Sequence, residues 1–451
     1  MKRRNFVSGA AASLLTRTGA AQTERPPNVL LILFDKCRTD AIGAYGERDV
    51  QTPHIDSLAR EGVRFTNCFT PQALCGPARA SIITGSYPHA HRLRRNVYPI
   101  ESGKLNSNYQ DPIADPFRDS RFRLWDNFPF FLNSAGYTTA QIGKWHLGPG
   151  NPGFFDYYKG FNSMLRHWIG EPYKSRYRPD VHTDQGIRFI ERSSEEPFFL
   201  YQSYYAPHEP LDPPKQFVEQ YAGKEHANYY ASVANLDWNV GRLLDALRRR
   251  NILDDTLVIL STEHGRTWVN RPGAVEGLCL PYEEVARIPL LIRYPKAFPR
   301  GLTWQSGVSL VDLTPTILEV TGVQPILGAH PSPTRPLIHG RSLAAEIRGG
   351  RDTWSRPMVI QNIPQGAIDG SLYDERALRT ERHKLILRSF DVRPAMRPGE
   401  LYDLRSDPGE TKNLYASQPG LVKELAGTLK NWGEQYRDGL AVELGAWAAG
   451  G

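Results

Sequence analysis

The 451-residue sequence predicts an α/β fold, with a large, mainly parallel central sheet flanked by helices and a smaller C-terminal α+β subdomain of antiparallel sheet plus helix. Three observations predict it. Short, unbroken apolar runs each close on polar, chemically capable residues. Stretches with apolar residues at helical spacing separate these runs. Beyond about residue 348 the pattern changes to short runs divided by turn signals. Unbroken apolar runs suit strands buried on both faces, and strand–helix alternation suits a parallel sheet covered by helices. With 40% hydrophobic and 23% charged residues, the chain is neither disordered, collagen-like nor a coiled coil.

Residues 1–21 carry Lys2, Arg3, Arg4 and Arg17 and no acid, which accounts for four units of the formal +7 charge. A basic head, the apolar stretch Phe6–Leu15 and the small residues Gly19-Ala20-Ala21 read as an export signal. Arg3-Arg4-Asn5-Phe6 looks like a twin-arginine signal, so an exported, periplasmic protein is expected. The remaining charge is spread along the chain, so no nucleic-acid partner is expected. The longest apolar run, Val29–Phe34, is far short of the roughly 20 residues that a membrane span needs, so none is expected. Cys37, Cys68, Cys75 and Cys279 are too few for a disulfide scaffold and show no CxxC spacing.

The strand runs follow in order. Val29–Phe34 ends at Asp35, Ala140–Gly143 at Lys144 and His146, Pro197–Tyr201 leads to His208, and Leu257–Leu260 ends at Glu263-His264. Helices are expected over 56–61, after Pro53, and over 228–250. Ligands sit beyond the carboxyl ends of strands in such sheets, so these polar clusters should gather at one edge. Pro325–Pro336 reads as a surface loop. Met358–Ile363, Arg376–Thr380, His383–Leu387 and Glu400–Tyr402 read as an antiparallel sheet, followed by a helix over 421–432 and a Gly/Ala-rich tail. The expected division is 1–21, 22–347 and 348–451.

The segment from Pro71 to Gly85 contains Cys75-Gly-Pro77-Ala-Arg79. Pro77 suits the first turn of a helix that would stop at Gly85, which places Cys75 at a helix N-terminus where unpaired N–H groups favour an anion. Arg79 can return a planar cation to the same spot. On these grounds alone, a small buried core cysteine fits Cys75 equally well.

Cys75-x-Pro77-x-Arg79 resembles the signature of the formylglycine sulfatases of the alkaline-phosphatase-like superfamily. Pro27–Asp35 resembles their first strand and metal aspartate, and Gly136–Gly148 is similar to their GYxTxxxGKWHLG block. Ala206-Pro207-His208, Tyr282–Leu290 and Leu401–Glu410 resemble further blocks, in the family's order. The resemblance implies that a formylglycine-generating enzyme oxidises Cys75 to an aldehyde. Its hydrate attacks the ester sulfur, and the sulfated enzyme then collapses to release sulfate. It assigns catalysis to Cys75, Arg79, Lys144, His146 and His208. It assigns a divalent metal, Ca2+ first, to Asp35, Glu263, His264 and Cys75; a His264 nitrogen would admit Mn2+ or Zn2+ more readily, unless His264 lies outside the metal's shell. Three positions depart from the family pattern: Lys36 replaces a second aspartate, Glu263-His264 replaces Asp-Asn or Asp-His, and Leu278 replaces a lysine. Lys36 could turn to the substrate and restore the lost cation. The expected function is hydrolysis of a sulfate ester on a sulfated small molecule or polysaccharide. The alternatives are a catalytically weak binder of sulfated glycans and a phosphonate monoester or phosphodiester hydrolase.

Overall fold

The computed structural model describes residues 25–97, 115–118, 122–163, 165–170, 172, 175–193, 196–268, 280–326, 337–362, 374–389 and 399–450. The expected export segment, Leu278, Cys279 and most of the proline-rich loop lie outside them. The strands are β1 (Asn28–Phe34), β2 (Val63–Phe69), β3 (Thr138–Lys144), β4 (Tyr157–Phe161), β5 (Trp168–Ile169), β6 (Arg176–Tyr177), β7 (Phe198–Ser203), β8 (Thr256–Thr262), β9 (Arg287–Arg293), β10 (Leu302–Trp304), β11 (Val308–Ser309), β12 (Met358–Asn362), β13 (Glu375–Arg379), β14 (His383–Arg388) and β15 (Glu400–Asp403).

A nine-stranded sheet runs in the order β10-β2-β9-β8-β1-β7-β3-β4, with β11 also paired to β2. It is parallel except at β9, which runs antiparallel to both β2 and β8. β1 explains the unbroken apolar run. Val29, Leu31 and Leu33 enter one core, while Leu30, Ile32 and Phe34 enter the core on the opposite face. A strand covered on both sides has no polar face to alternate with. The long helix Ala227–Arg249 covers the second face through Val233, Leu236, Val240, Leu243, Leu244 and Leu247, at the spacing read from the sequence.

The C-terminal sheet has the order β12-β13-β14-β15 and is antiparallel throughout. Val359, Leu378, Leu385 and Leu401 pack under the helices Pro419–Tyr436 and Gly439–Ala448. Met358, Ile360, Ala377 and Ile386 on the other face pack against Phe69, Ala73 and Val285 of the first part. The Gly/Ala-rich tail is therefore a packed helix, in which Gly433 and Gly445 allow the two helices to approach closely. Among the described residues, no helix is long and apolar enough to cross a membrane.

Candidate active site

Strand direction assembles the site. β1, β2, β3, β7 and β8 all point the same way, so their carboxyl ends share one edge. β1 and β8 pair Phe34 with Thr262, which puts Asp35 beside Glu263. β3 delivers Lys144 next to β7, where Gly143 pairs with Ser203. Gly143 has φ +97°, and a Cβ there would meet the Ser203 carbonyl, so only glycine permits this approach. β2 leads into the helix Cys75–Thr84, whose first residue is Cys75, and Gly85 closes the helix in the left-handed conformation with its N–H donating to the Ser81 carbonyl.

Ligand-capable atoms of Asp35, Cys75, Glu263 and His264 all lie within 4.8 Å of one another, and all four residues are buried. Cys75 Sγ is 3.2 Å from His264 Nε2 and 3.8 Å from Asp35 Oδ1. His264 Nδ1 is 2.7 Å from the Gly265 carbonyl. That carbonyl accepts a hydrogen bond from Nδ1–H, which leaves a lone pair on Nε2 aimed into the cluster, the arrangement found in metal-ligating histidines. Glu263 is fully buried, and neither of its oxygens receives a well-formed hydrogen bond, although Arg79 Nη2 approaches to 3.3 Å. Burial first, then Asp35 and Cys75, push the Glu263 pKa well up. Burial also works against Asp35, but Lys144, His208 and Arg79 outweigh it and hold its pKa well below the ordinary carboxylate range. Two buried carboxylates, one of them with both oxygens orphaned, and an imidazole lone pair fit a divalent cation.

Two cations line this cluster. Lys144 donates to Asp35 Oδ2, and its ammonium lies 5.1 Å over the Tyr205 ring. Arg79 donates through Nη1 to the Lys144 carbonyl at 2.7 Å and to Ser203 Oγ at 2.6 Å. Burial opposes both charges, but neighbouring acids outweigh it and raise both pKa values. His146 is buried with φ +56°, and burial, Lys144 and Arg79 lower its pKa. His208 stacks on Tyr205 at 4.5 Å, and its Nδ1 lies 2.8 Å from the Glu209 carbonyl. Burial, then Lys36 and Lys144 against the opposing Asp35, pull its pKa down to about 3. Every catalytic and metal residue named from the sequence thus reaches one edge of the sheet.

Lys36 reaches the same edge, where its ammonium pairs with Glu209. Its backbone is left-handed at φ +60°, and Nζ is 2.9 Å from Glu209 Oε2. Arg266 Nη1 holds Glu209 Oε1 at 2.6 Å. Sequence reasoning missed Glu209, Arg266 and Ser203. Ser203 is the terminal residue of a buried strand, and that position was the available signal. Glu209 directly follows His208 and reads as loop.

The profile of the Sulfatase family matches residues 27–323, and that of the N-sulphoglucosamine sulphohydrolase C-terminal family matches residues 279–435. The chain belongs to the sulfatase family. These enzymes are hydrolases of sulfate esters. This sulfatase is 26% identical over 541 residues to N-acetylglucosamine-6-O-sulfatase of Bacteroides thetaiotaomicron, covering 95% of this chain and 90% of the relative. It is 28% identical over 488 residues to human arylsulfatase A, covering 94% and 90%. In fold it resembles a protein solved with its substrate D-glucosamine-2-N,6-O-disulfate, with a TM-score of 0.70, 24% identity and coverage of 92% and 99%. It also resembles the phosphonate monoester hydrolase of Agrobacterium radiobacter, with a TM-score of 0.70, 22% identity and coverage of 91% and 96%.

Proposed function

We propose that this sulfatase removes a sulfate ester from a sulfated carbohydrate, using Cys75 oxidised to formylglycine and a divalent metal. The observation that carries the proposal is the meeting of Asp35, Cys75, Glu263 and His264 within 4.8 Å, beside Arg79 and Lys144. The sugar sulfatase among its relatives supports the substrate class. Asp35, Glu263, His264 and residue 75 would hold the metal, which supplies Lewis-acid polarisation and charge neutralisation when bound. Calcium is the expected ion, and the His264 nitrogen makes manganese or zinc the alternatives. Formylglycine supplies the oxygen nucleophile once hydrated.

The remaining roles follow from the side chains. Arg79 and Lys144 are fixed positive charges in a nearly dry wall, worth most as negative charge moves onto the leaving oxygen. His208 donates an Nδ1–H hydrogen bond to the Glu209 carbonyl, which leaves Nε2 for the substrate. A bound sulfate anion raises the proton affinity of this histidine, which suits protonation of the leaving oxygen. His146, two residues beyond Lys144 in the chain, orients residue 75 and takes its proton when the aldehyde re-forms. The expected catalytic part is 22–347 and the remainder 348–451. The segment 1–21 supports twin-arginine export to the periplasm, which N-terminal sequencing of the secreted protein tests at Ala20 or Ala21.

Expression in a host that makes formylglycine tests the mechanism. The peptide containing Cys75 should lose its sulfur and gain an aldehyde. Turnover of an aryl sulfate should exceed that of an aryl phosphonate monoester. Cys75→Ala should abolish turnover while the protein remains folded. Full activity in Cys75→Ala overturns the proposal, and a preference for the phosphonate turns the reading to a phosphonate hydrolase.

A further inference from the structure

The sheet edge continues past Lys144 into a hairpin that the chemistry above does not use. β3 and β4 are parallel with Lys144 paired to Phe161, and the Trp145 N–H donates to the Phe161 carbonyl at 2.7 Å. The chain leaving β4 therefore emerges at the active edge, and it turns into the β5–β6 hairpin. Two hydrogen bonds tie this hairpin to the loop that carries His208. His167 Nε2 lies 2.8 Å from the His208 carbonyl, and the Trp168 indole N–H donates to the Asp212 carbonyl at 2.8 Å. The His167 ring stacks at 4.9 Å on Tyr205, the same ring that meets His208 and Lys144. The hairpin is thus a wall beside the leaving-group histidine.

Trp168 on that wall and Arg178, which opens the helix Arg178–Arg192 directly after it, have unmet demands. Trp168 stays 40% exposed although its N–H is anchored, so a rigid apolar ring faces solvent. Arg178 is half-buried, donates Nε–H to the Arg166 carbonyl at 2.8 Å and lies 5.2 Å over the Phe161 ring. Among the described residues, Arg178 pairs with no carboxylate. Burial lowers its pKa, whereas Asp312 outweighs burial at Arg356 and raises that one. A guanidinium partly withdrawn from water without a counter-ion favours an incoming anion, and its planar fork suits carboxylate or sulfate.

We propose that Arg178 and Trp168 form a subsite for a second anionic group, a carboxylate or sulfate, on the saccharide that carries the scissile sulfate. Trp168 supports the apolar face of a sugar ring, and Arg178 takes the anion. The subsite rests on the sulfatase reading of the neighbouring site and sets which sulfated saccharides fit it.

The test uses the matured full-length protein. Calorimetry measures binding of heparin and chondroitin 6-sulfate hexasaccharides, and 4-nitrophenyl sulfate turnover is followed separately. Arg178→Gln and Trp168→Ala should each weaken binding of a hexasaccharide by about tenfold. That loss should be several times larger than any change in kcat/KM for 4-nitrophenyl sulfate, and Arg178→Lys should recover part of it. Loss of the Arg178 dependence on carboxyl reduction of the saccharide assigns a carboxylate, and its persistence assigns a sulfate; either supports the subsite. Failure of the wild type to bind either hexasaccharide, or equal losses on saccharide and aryl sulfate, overturns it. Wild-type saccharide binding that depends on Arg178 without any turnover of 4-nitrophenyl sulfate sinks the sulfatase reading and leaves the subsite standing.

Discussion

A lysine directly after an aspartate proposed to hold a divalent ion would be repelled by about 4 kcal/mol per unit charge at 4 Å, with an effective dielectric near 20. The protein relieves this by local geometry. Left-handed backbone at Lys36 turns the side chain to Glu209, and Tyr229 clamps the turn by donating to the Lys36 carbonyl at 3.0 Å and accepting the Arg38 N–H at 2.7 Å. Asp35→Asn should therefore lower metal affinity by more than about tenfold, while Lys36→Ala should change it far less. Metal content after dialysis against graded chelator checks this, and equal losses would place Lys36 at the metal. Lys36→Gln should still raise KM for sulfate esters and slow turnover if the lysine supplies the cation missing at Leu278. Steady-state kinetics on one aryl sulfate decides it, and no effect would mean that the site has simply lost a cation. Asp35, Lys144, Glu263 and His264 were legible because each ends an apolar run. Glu209 was not, since its role depends on the distant Lys36 and Arg266 and leaves no local pattern.

At the scale of elements, apolar runs reveal strands but not their direction. β9 is as buried as its neighbours yet runs against them, and nothing in Arg287–Arg293 distinguishes it from a parallel strand. Order within the sheet depends on crossovers, which periodicity does not encode. Helix periodicity was clear for Ala227–Arg249, but it could not show that one buried position is an acid. Asp237 accepts the Ile55 N–H at 2.7 Å, where the helix Pro53–Glu61 begins. Burial raises its pKa to about 7, against the opposing bonds from Ile55 and His54. The folded value lies above the ordinary carboxylate value of about 3.9. This group's contribution is therefore fully present below that value and is lost as pH rises through about 7. Asp237→Asn keeps an acceptor for Ile55 without the ionisation. It should raise stability at pH 8 by about 1 to 3 kcal/mol relative to wild type, and by clearly less at pH 5. Thermal melts at the two pH values check this, and an equal shift at both would place the effect in packing.

For the whole molecule, fold class was legible because both cores leave a periodic imprint, whereas the substrate was not, because the walls around the sulfate come from loops and from the β5–β6 hairpin. The molecule concentrates its electrostatic cost at one point. Asp35, Glu263, Arg79 and Lys144 are all fully buried where four strand ends and one helix meet. A cation that binds only this assembled state stabilises it by mass action, by about 2.7 kcal/mol at a concentration 100 times its Kd. Chelation should therefore lower activity and Tm together, and adding back calcium, manganese or zinc should restore both. The loss should also depend on pH. Burial raises the Glu263 pKa in the folded chain, so without a cation the folded state favours the protonated acid. That state is not penalised below the ordinary carboxylate range and becomes increasingly penalised as pH rises above it. A cation competes with that proton, so the Tm difference between loaded and chelated protein should be larger at pH 8 than at pH 5. Scanning calorimetry with and without chelator at both pH values, together with metal analysis of protein prepared without chelator, makes the measurement. A metal-free protein with full activity and an unchanged Tm would reject the metal site, and a pH-independent difference would remove Glu263 from the ligand set.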